Sequence, residues 1–370
     1  MKVIIAGGGT GGHLFPAIAV AGELMHIDGE NDVLFVGTKN GIESRILPDE
    51  GWPIKFITAG AIKGRGLLGI IKGLLKSVYG LMESLSLIRH FGPDVILGVG
   101  GYVSAPLVLA GRLSGIKTAI HEQNAMPGLT NRILGKIVNK IFITYPESKR
   151  FFPSIKTLLT GNPVRRDIKD AFLKEKGGKG GKDTFNLLIF GGSRGAASIN
   201  RAAIEAFTGM AEKEMGKVNI IHQTGIDEFE RMRGLYEDSA LSAAIKAEVL
   251  PFIKDMASAY SKADLVVCRA GATTMAELAA AGKPSILIPY PFASDDHQRL
   301  NAKAMVDAGA AIMIEDARLD GSSLSREIAR LMARPEALAD MAEKARLMNR
   351  NDASKLICKE LISLAQVRKQ

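Results

Sequence analysis

The sequence predicts an α/β fold of two domains, each built on a doubly wound parallel sheet. Three observations support this prediction. A chain of 370 residues exceeds the usual size of a single hydrophobic core. Short apolar runs alternate with longer helical patterns, and the strand, glycine turn and helix of the N-terminus recur from residue 187. The apolar runs are nearly continuous, which is typical of parallel strands covered by helices on both faces.

Ten apolar segments are predicted to be strands. They are residues 2–6, 33–36, 95–99, 118–121 and 140–144 in the N-terminal half, and 186–190, 218–222, 248–251, 265–268 and 285–288 in the C-terminal half. We place the domain boundary within residues 161–167, ahead of the glycine- and lysine-rich loop 172–183, which gives domains 1–163 and 164–352. The amphipathic segment 353–367 is predicted to be a helix that could pack on either domain.

Composition limits the class of protein. The formal net charge of +9 favours anionic partners, which include nucleic acid, a membrane surface and phosphorylated substrates. Cys268 and Cys358 have no metal-ligand spacing, so neither a disulfide framework nor a zinc site is expected, and Cys268 is predicted to lie in the core. No apolar stretch is long enough to span a membrane, and the N-terminus indicates a strand rather than a signal peptide, so we expect a protein that works in the cytosol.

The first glycine turn, residues 7–12, satisfies the G-x-G-x-x-G pattern and follows a predicted strand. Such a turn presents backbone N–H groups and the positive end of a helix dipole to a phosphate. A dinucleotide site also needs a carboxylate at the end of the second strand, where this chain has Gly-Thr-Lys at 37–39 and where Glu43 lies too far along. The turn is therefore predicted to serve a phosphate compound other than NAD.

Similar turns of glycine and small residues follow other predicted strands, at 98–106, 191–196 and 269–277. At the carboxyl edge of a parallel sheet such turns bind ligands, although any one of them alone could be a tight connection. Glu277 lies about one turn inside the helix that follows the last of them. Its carboxylate could accept hydrogen bonds from both hydroxyls of a ribose, or it could be a helix-capping glutamate.

Seven segments occur in the order found in one family: GGGTGGHLFPA, GGYVSAP, HEQNAMPG, GNPVR, GGSRGA, CRAGATTMAE and DDHQRLNA. From residue 3 to about 302 the chain resembles the MurG family, the bacterial GlcNAc transferases of peptidoglycan synthesis. The resemblance implies a GT-B fold, in which two Rossmann-like domains face each other across a cleft. It also implies transfer of GlcNAc from UDP-GlcNAc to the 4-hydroxyl of undecaprenyl-diphospho-MurNAc-pentapeptide, with inversion and without a cofactor. The implied location is the cytoplasmic side of the cell inner membrane, as a peripheral protein, with other cell-wall synthesis proteins as candidate partners.

The same resemblance assigns site residues. The C-terminal domain is expected to bind UDP-GlcNAc, with Glu277 on the uridine ribose, the Ile253 backbone beside the uracil, and the 272–276 turn on the diphosphate. The expected UDP-GlcNAc-binding residues are Thr10, Gly11, Gly12, Asn124, Arg165, Ser193, Ile253, Ala272, Thr273, Thr274, Met275, Ala276, Glu277, Gln298 and Asn301. The expected residues for the diphosphate of the acceptor are Gly9, Gly100, Gly101 and Tyr102.

His13 is the first candidate for the general base. It opens a helix, whose positive end disfavours imidazolium and so keeps the ring able to accept a proton. The alternative is that His13 only anchors the turn or positions substrate, and His121 and Glu122 of the HEQN segment could supply or assist the base. An essential metal is not expected, because no DxD motif stands at a strand end and helix N-termini can stabilise a leaving diphosphate.

Residues 63–85 form an apolar helical pattern flanked by basic side chains. Apolar residues rimmed by basic ones suit contact with an anionic lipid surface, whereas a crossover helix that covers the sheet would also be apolar. We expect the N-terminal part to contact the membrane. The residues expected there are Leu67, Leu68, Ile71, Lys72, Leu74, Leu75 and Lys76.

Other functions remain as alternatives. A GT-B glycosyltransferase acting on diacylglycerol and a UDP-GlcNAc 2-epimerase would share the fold, but the HEQNAMPG and DDHQ segments favour the peptidoglycan enzyme. A non-catalytic nucleotide-sugar sensor would bind UDP-GlcNAc without turnover. Nucleic-acid binding is not expected, because the basic residues are scattered and aromatic residues make up only 6% of the chain.

Overall fold

The computed structural model describes residues 1–60, 67–173, 184–209, 218–238, 241, 245–350 and 352–367, with the backbone alone at 67–75 and 173. The chain divides into two compact units. Unit 1 comprises Met1–Arg166 and Arg350–Gln370, and unit 2 comprises Asp167–Asn349. Each unit contains its own parallel sheet.

Unit 1 alternates strands and helices from its first residues. Its elements are β1 (Lys2–Ala6), α1 (Gly11–Ile27), β2 (Asp32–Gly37), α2 (Glu43–Asp49), β3 (Ile54–Phe56), α3 (Leu67–Phe91), β4 (Val95–Gly98), α4 (Ser104–Leu113), β5 (Lys117–Glu122), α5 (Leu129–Leu134), β6 (Lys140–Ile143) and β7 (Thr157–Leu159), and later α14 (Ala353–Gln366). The sheet order is β3-β2-β1-β4-β5-β6-β7, and every pairing is parallel. The order of connection reverses between β1 and β4, so the ends of these two strands form the switch point at which ligands bind in open α/β sheets.

Unit 2 repeats this architecture with six strands. Its elements are α6 (Arg166–Leu173, which begins at the last residue of unit 1), β8 (Phe185–Phe190), α7 (Ala197–Gly209), β9 (Val218–Gln223), α8 (Phe229–Glu237), β10 (Lys246–Leu250), α9 (Met256–Lys262), β11 (Leu265–Cys268), α10 (Ala272–Ala281), β12 (Ser285–Leu287), α11 (His297–Asp307), β13 (Ala311–Met313), α12 (Gly321–Met332) and α13 (Pro335–Leu347). The parallel order is β10-β9-β8-β11-β12-β13. The switch point therefore lies between β8 and β11.

The apolar strands form these sheets because both faces are covered. In unit 1 the side chains of β1 alternate between two core clusters, with Val3 and Ile5 in one and Ile4 and Ala6 in the other. All four side chains are fully buried. Such burial on both faces produces the continuous apolar runs seen in the sequence.

The predicted fold class of two doubly wound parallel-sheet domains is confirmed. All ten predicted strands are present, with ends shifted by two residues at most. Three further strands, β3, β7 and β13, were missed, and each is three residues long at the edge of a sheet or next to it. Because β3 and β7 have no fully buried residue, their sequences lack the continuous apolar run by which the other strands were found.

The final helix, α14, packs on unit 1. Ile357 and Leu361 are fully buried in the same core cluster as Leu24 of α1, and the thiol of Cys358 lies 3.5 Å from the carbonyl oxygen of Val20. Burying each of these large aliphatic side chains stabilises the unit by roughly 1.5–3 kcal/mol. The sequence left open which domain this helix would join, and the contacts answer that question.

Candidate active site

The first glycine turn of unit 1 joins β1 to α1 and is closed by a carboxylate from α2. Glu43, the first residue of α2, is fully buried. Its Oε2 accepts from the backbone N–H of Gly9 at 2.8 Å, and its Oε1 accepts from the backbone N–H and the hydroxyl of Thr38 at 2.9 and 3.0 Å. The N–H of Gly9 therefore donates within the protein, to the residue that sequence reasoning had set aside as too far along.

His13 lies in the first turn of α1, next to the second glycine turn. Its backbone N–H donates to the carbonyl of Thr10 at 3.2 Å, and its Nδ1 lies 3.3 Å from the Thr10 hydroxyl. Its imidazole packs on the backbone of Gly100, where a Cβ would stand 2.8 Å from Nε2. Gly101 has a φ of +80°, and a Cβ on it would stand 2.8 Å from the carbonyl oxygen of Gly8. The two turns at the switch point are thus in direct contact.

The second glycine turn is braced by Ser104, the first residue of α4. The Ser104 hydroxyl accepts from the N–H of Gly100 at 3.1 Å, and its single proton has two acceptors within reach, the carbonyl oxygens of Gly100 at 2.8 Å and Ala6 at 3.0 Å. The side chain of Tyr102 is 57% exposed on the same turn. Of the residues expected at an acceptor diphosphate, Gly9 and Gly100 therefore have N–H groups that donate within unit 1, and the assignment of this set stays a prediction.

His121 is buried near the end of β5. Its Nε2 donates to the carbonyl of Gly161 at 3.2 Å, so the tautomer places the proton on Nε2. Burial lowers the pKa of His121 to about 4; the hydrogen bond to Gly161 opposes this shift, and the charge interaction with His13 adds to it. This imidazole is therefore neutral at physiological pH.

Glu122, at the end of β5, is a buried carboxylate that holds the following loop. Its Oε1 accepts from the backbone and side-chain N–H groups of Asn124 at 3.0 and 3.2 Å, and its Oε2 accepts from Gly128 and Asn131 at 3.1 and 2.9 Å. Burial raises the pKa of Glu122, and these four hydrogen bonds oppose that shift. The contacts describe a structural anchor for the loop that carries Asn124.

Arg165 lies near the end of the first segment of unit 1. Its guanidinium stacks 5.0 Å from the ring centre of Phe15, which belongs to α1. This cation–π contact places the arginine beside the helix that begins with Gly11, Gly12 and His13. Unit 1 thus brings together the predicted residues of the first turn, the second turn and the GNPVR segment.

In unit 2 the switch point carries the third glycine turn, residues 191–196. Gln223, at the end of the neighbouring β9, donates from Nε2 to the carbonyl of Gly192 at 2.8 Å and accepts on Oε1 from the N–H of Ile253 at 2.8 Å. Its side chain is buried. One amide therefore ties the turn that contains Ser193 to the segment expected beside a uracil.

The fourth turn, between β11 and α10, completes the same switch point. Residues 272–277 are the first six of α10, so the N–H groups of its first turn lie at the carboxyl end of β11, where an anion would be stabilised. Glu277 is 7% exposed and accepts a hydrogen bond from the hydroxyl of Tyr260 at 3.1 Å. Glu277 is the sixth residue of the helix and so does not occupy a capping position. The alternative that Glu277 is a helix-capping glutamate is therefore excluded.

Arg269 supports this edge of the unit 2 sheet. Its guanidinium pairs with Asp316 at 2.5 Å, donates to the hydroxyl of Ser198 at 2.8 Å and donates to the carbonyls of Ile288 and Pro289 at 3.2 Å. These partners follow β8, β12 and β13. The arginine therefore cross-links the loops at the carboxyl edge of the sheet.

The segment before α11 has a strained backbone. Two successive aspartates, residues 295–296, have positive φ angles of 52° and 53°, which cost energy outside glycine and are concentrated at functional sites. Immediately after them, Gln298 accepts from the N–H of Tyr290 at 3.0 Å, and the buried Asn301 donates to the carbonyl of Ala270 at 3.3 Å. Gln298 and Asn301, both expected to bind UDP-GlcNAc, are thus tied to loops that follow β12 and β11, respectively.

Comparisons with known proteins identify the family of this chain. Residues 3–143 match the glycosyltransferase family 28 N-terminal domain, and residues 186–357 match the glycosyltransferase family 28 C-terminal domain. A relative from Geobacter sulfurreducens, named UDP-N-acetylglucosamine–N-acetylmuramyl-(pentapeptide) pyrophosphoryl-undecaprenol N-acetylglucosamine transferase, is 48% identical over 98% of this chain and 98% of its own length. This chain belongs to the MurG family.

Solved structures agree with membership of the MurG family. The crystal structure of Acinetobacter baumannii MurG is 33% identical, with a TM-score of 0.75 over 98% of this chain and 99% of that chain. A UDP-GlcNAc 2-epimerase from Neisseria meningitidis covers 98% of this chain and 100% of its own at a TM-score of 0.66, but at 14% identity it shares the fold alone. The predicted GT-B class is confirmed by the MurG neighbour.

Several residues around these MurG-family turns escaped sequence reasoning. Glu43, Gln223, Tyr260 and Arg269 all hold a turn or a predicted site residue, and the first three lie outside every glycine motif. Only Arg269 offered a signal, since it begins the RAGATTMAE segment directly after a strand. The other three contact residues that are 17 to 34 positions away in the chain. A local sequence pattern cannot indicate such contacts.

The apolar pattern at 63–85 corresponds to part of α3. Residues 61–66 and the side chains of 67–75 lie outside the described part, so the expectations for Leu67, Leu68, Ile71, Lys72, Leu74 and Leu75 are not addressed, whereas Lys76 is exposed. Among the described residues, no helix is both long and apolar enough to cross a membrane.

Proposed function

We propose that this protein is an inverting hexosyltransferase that moves GlcNAc from UDP-GlcNAc to the 4-hydroxyl of MurNAc in undecaprenyl-diphospho-MurNAc-pentapeptide. The observation that carries the proposal is the 48% identity to a transferase of that name over 98% of both chains. The product is the β-1,4-linked disaccharide lipid used in peptidoglycan synthesis, and UDP is released.

The donor is proposed to bind at the switch point of unit 2. A ribose diol suits the buried carboxylate of Glu277, and the first turn of α10 suits the diphosphate, because the positive end of the helix dipole favours negative charge there. Gln223 supports this arrangement, since it fixes the Ile253 backbone and the Gly192 carbonyl in one place. Gln298 and Asn301 are proposed to read hydroxyl groups of the sugar.

His13 is proposed as the general base. Its Nε2 lies over the second glycine turn, at the switch point where an acceptor would approach. As the 4-hydroxyl oxygen attacks the anomeric carbon, its proton passes to the imidazole, and the bond between that carbon and the diphosphate oxygen breaks with its electron pair on the leaving UDP. A positioned base contributes about 10²–10⁴-fold to such a step. His121 and Glu122 are proposed to support the loop beside the base rather than to take the proton.

The N–H groups of α10 are proposed to stabilise the leaving diphosphate. Preorganised backbone donors aimed at developing negative charge can serve in place of a metal ion. Among the described residues, no group of three or more histidine, cysteine or acidic side chains could hold a metal ion. The acceptor diphosphate is proposed to lie at the second glycine turn, by Gly101 and Tyr102.

Peripheral attachment to the cytoplasmic side of the membrane is proposed for an apolar surface on α3, α4 and α5. Exposed large apolar side chains on these helices are Val78, Tyr79, Met82, Leu109, Leu113, Leu129 and Ile133. The helices contact one another in the order α3, α4, α5, and exposed basic residues such as Lys76, Arg112 and Lys136 stand among them. An apolar patch with basic neighbours suits anionic lipid, each basic group contributing about 1 kcal/mol.

The decisive experiment incubates the purified protein with labelled UDP-GlcNAc, a lipid-linked muramyl-pentapeptide and diacylglycerol, and it distinguishes four outcomes. Transfer to a lipid-linked muramyl-pentapeptide supports the proposal. Transfer to diacylglycerol alone, or conversion of UDP-GlcNAc into its 2-epimer, would overturn it in favour of another enzyme of the same fold. Binding of UDP-GlcNAc without turnover would indicate a sensor.

A further inference from the structure

The Glu43 carboxylate occupies the centre of the first glycine turn. Three glycines leave the space that it fills, because a Cβ on Gly8, Gly37 or Gly41 would overlap the carboxylate group. These glycines lie after β1, at the end of β2 and just before α2. The side chain is thereby confined to one position, in which none of its surface is exposed.

Both oxygens of this carboxylate are used as acceptors. Oε2 holds the N–H of Gly9, and Oε1 holds the N–H and the hydroxyl of Thr38. Burying a carboxylate is costly unless it is hydrogen-bonded, and donors at 2.8–3.0 Å supply that compensation. The end of β2 and the first glycine turn are therefore joined through one side chain.

Gly9 directly precedes the residues that position His13. Gly9 has a positive φ of 83°, Thr10 is the N-cap of α1, and Thr10 contacts both the N–H and the Nδ1 of His13. A shift of Gly9 would move Thr10 and, with it, the imidazole that packs on Gly100. Small displacements of this kind are costly for a reacting group, because catalysis depends on its alignment.

We propose that Glu43 is a positioning residue for the transfer reaction, which holds the first glycine turn so that His13 faces the acceptor. In this role the chain's own carboxylate takes the place that a pyrophosphate occupies in dinucleotide-binding turns. The inference rests on the proposed base role of His13. Glu43 itself touches neither substrate nor reacting atoms.

The test compares two glutamates that make the same kind of contact in unit 1. Glu43→Gln replaces one acceptor oxygen by an NH₂ group, which must then face a donor. Glu83→Gln is the matched control, because Glu83 likewise accepts from the backbone N–H and the hydroxyl of a threonine, Thr58, at 2.5 and 3.4 Å, but from α3. Turnover, KM for UDP-GlcNAc and the thermal unfolding midpoint are measured for both variants.

The expected result is a split between kcat and KM. Glu43→Gln lowers kcat at least tenfold while KM for UDP-GlcNAc changes less than threefold, and Glu83→Gln keeps kcat within twofold of the unsubstituted protein. Equal kcat values in the two variants would overturn the proposal. A loss in Glu43→Gln that is accounted for by a larger KM alone would overturn it as well.

Two further variants keep the test decisive. If Glu43→Gln does not fold, Thr38→Val removes one donor to the carboxylate and should still lower kcat by threefold or more; an unchanged kcat overturns the proposal. His13→Ala in the same assay separates the two ideas. If kcat falls strongly in His13→Ala but is normal in Glu43→Gln, the positioning role of Glu43 is wrong and the base role of His13 stands. If kcat is normal in His13→Ala, both roles are wrong.

Discussion

Replacing Glu277 with glutamine tests the donor site most directly. The buried carboxylate is proposed to accept both hydroxyls of the uridine ribose, and its Oε2 also accepts from Tyr260 at 3.1 Å. Glutamine keeps one acceptor oxygen and loses the charge, so at least one hydrogen bond to a charged group disappears. Such a bond contributes about 1.5–3 kcal/mol, which corresponds to a KM for UDP-GlcNAc that is roughly 10- to 150-fold higher. We expect kcat to change little.

The assay uses UDP-GlcNAc and its 2′-deoxyuridine analogue as donors. The unsubstituted protein should discriminate against the analogue, and Glu277→Gln should discriminate much less, because the acceptor of that hydroxyl is already weakened. Tyr260→Phe is the control, since it removes a donor to the same carboxylate without removing the carboxylate. It should lower stability by about 1 kcal/mol and raise KM far less. Equal discrimination by the variant and the unsubstituted protein would refute the ribose assignment.

Three further predictions concern the base, the pH dependence and the membrane. His13→Ala should lower kcat at least about 100-fold and leave the Kd for UDP-GlcNAc nearly unchanged, and a loss confined to KM would contradict the base role. Burial lowers the pKa of His222 from its ordinary value of 6.5 to about 3. Between these two pH values the unfolded chain therefore binds a proton at His222 that the folded protein does not. The free energy of unfolding of unit 2 should consequently fall by roughly 2 kcal/mol between pH 7 and pH 5. Denaturant titrations should show this fall and a smaller one in His222→Gln, and identical falls would contradict it. Replacing Val78 and Tyr79 with serine should weaken sedimentation with anionic vesicles about tenfold or more, and unchanged binding would exclude these two side chains from the membrane surface.

The central strands could be predicted from the sequence because burial on both faces leaves a continuous apolar run within each strand. Strands such as β1 and β11 are buried on both faces, so all their residues except Lys2 at the start of β1 are apolar, and the ends of both strands agree with the predicted ones. The missed β3 and β7 owe their strand conformation to a single neighbour in the sheet. Without full burial they carry no periodic signal, and only the tertiary structure defines them.

The sequence indicated the glycine turns but not the residues that hold them. Glycine motifs follow strands, and the structure places them at the carboxyl edges of the two sheets, whereas the ligand-binding roles of these turns and of Glu277 stay predictions. The role of Glu43 depends on a hydrogen bond to Gly9, a residue 34 positions earlier in the chain. Glu122 was a candidate to supply or assist the base because it follows a strand, and its hydrogen bonds to Gly128 and Asn131 could likewise not be predicted from the sequence.

Because α14 packs on unit 1, unit 1 consists of two separate segments of the chain, and unit 2 is inserted between them. Residues Asp167–Asn349 are contiguous, whereas unit 1 needs residues from both ends of the chain. During synthesis the first sheet therefore leaves the ribosome well before the helix that covers α1, and the apolar face that receives Ile357 and Leu361 stays open while the whole of unit 2 is made. A deletion of the last helix should accordingly damage the half of the protein that is synthesised first.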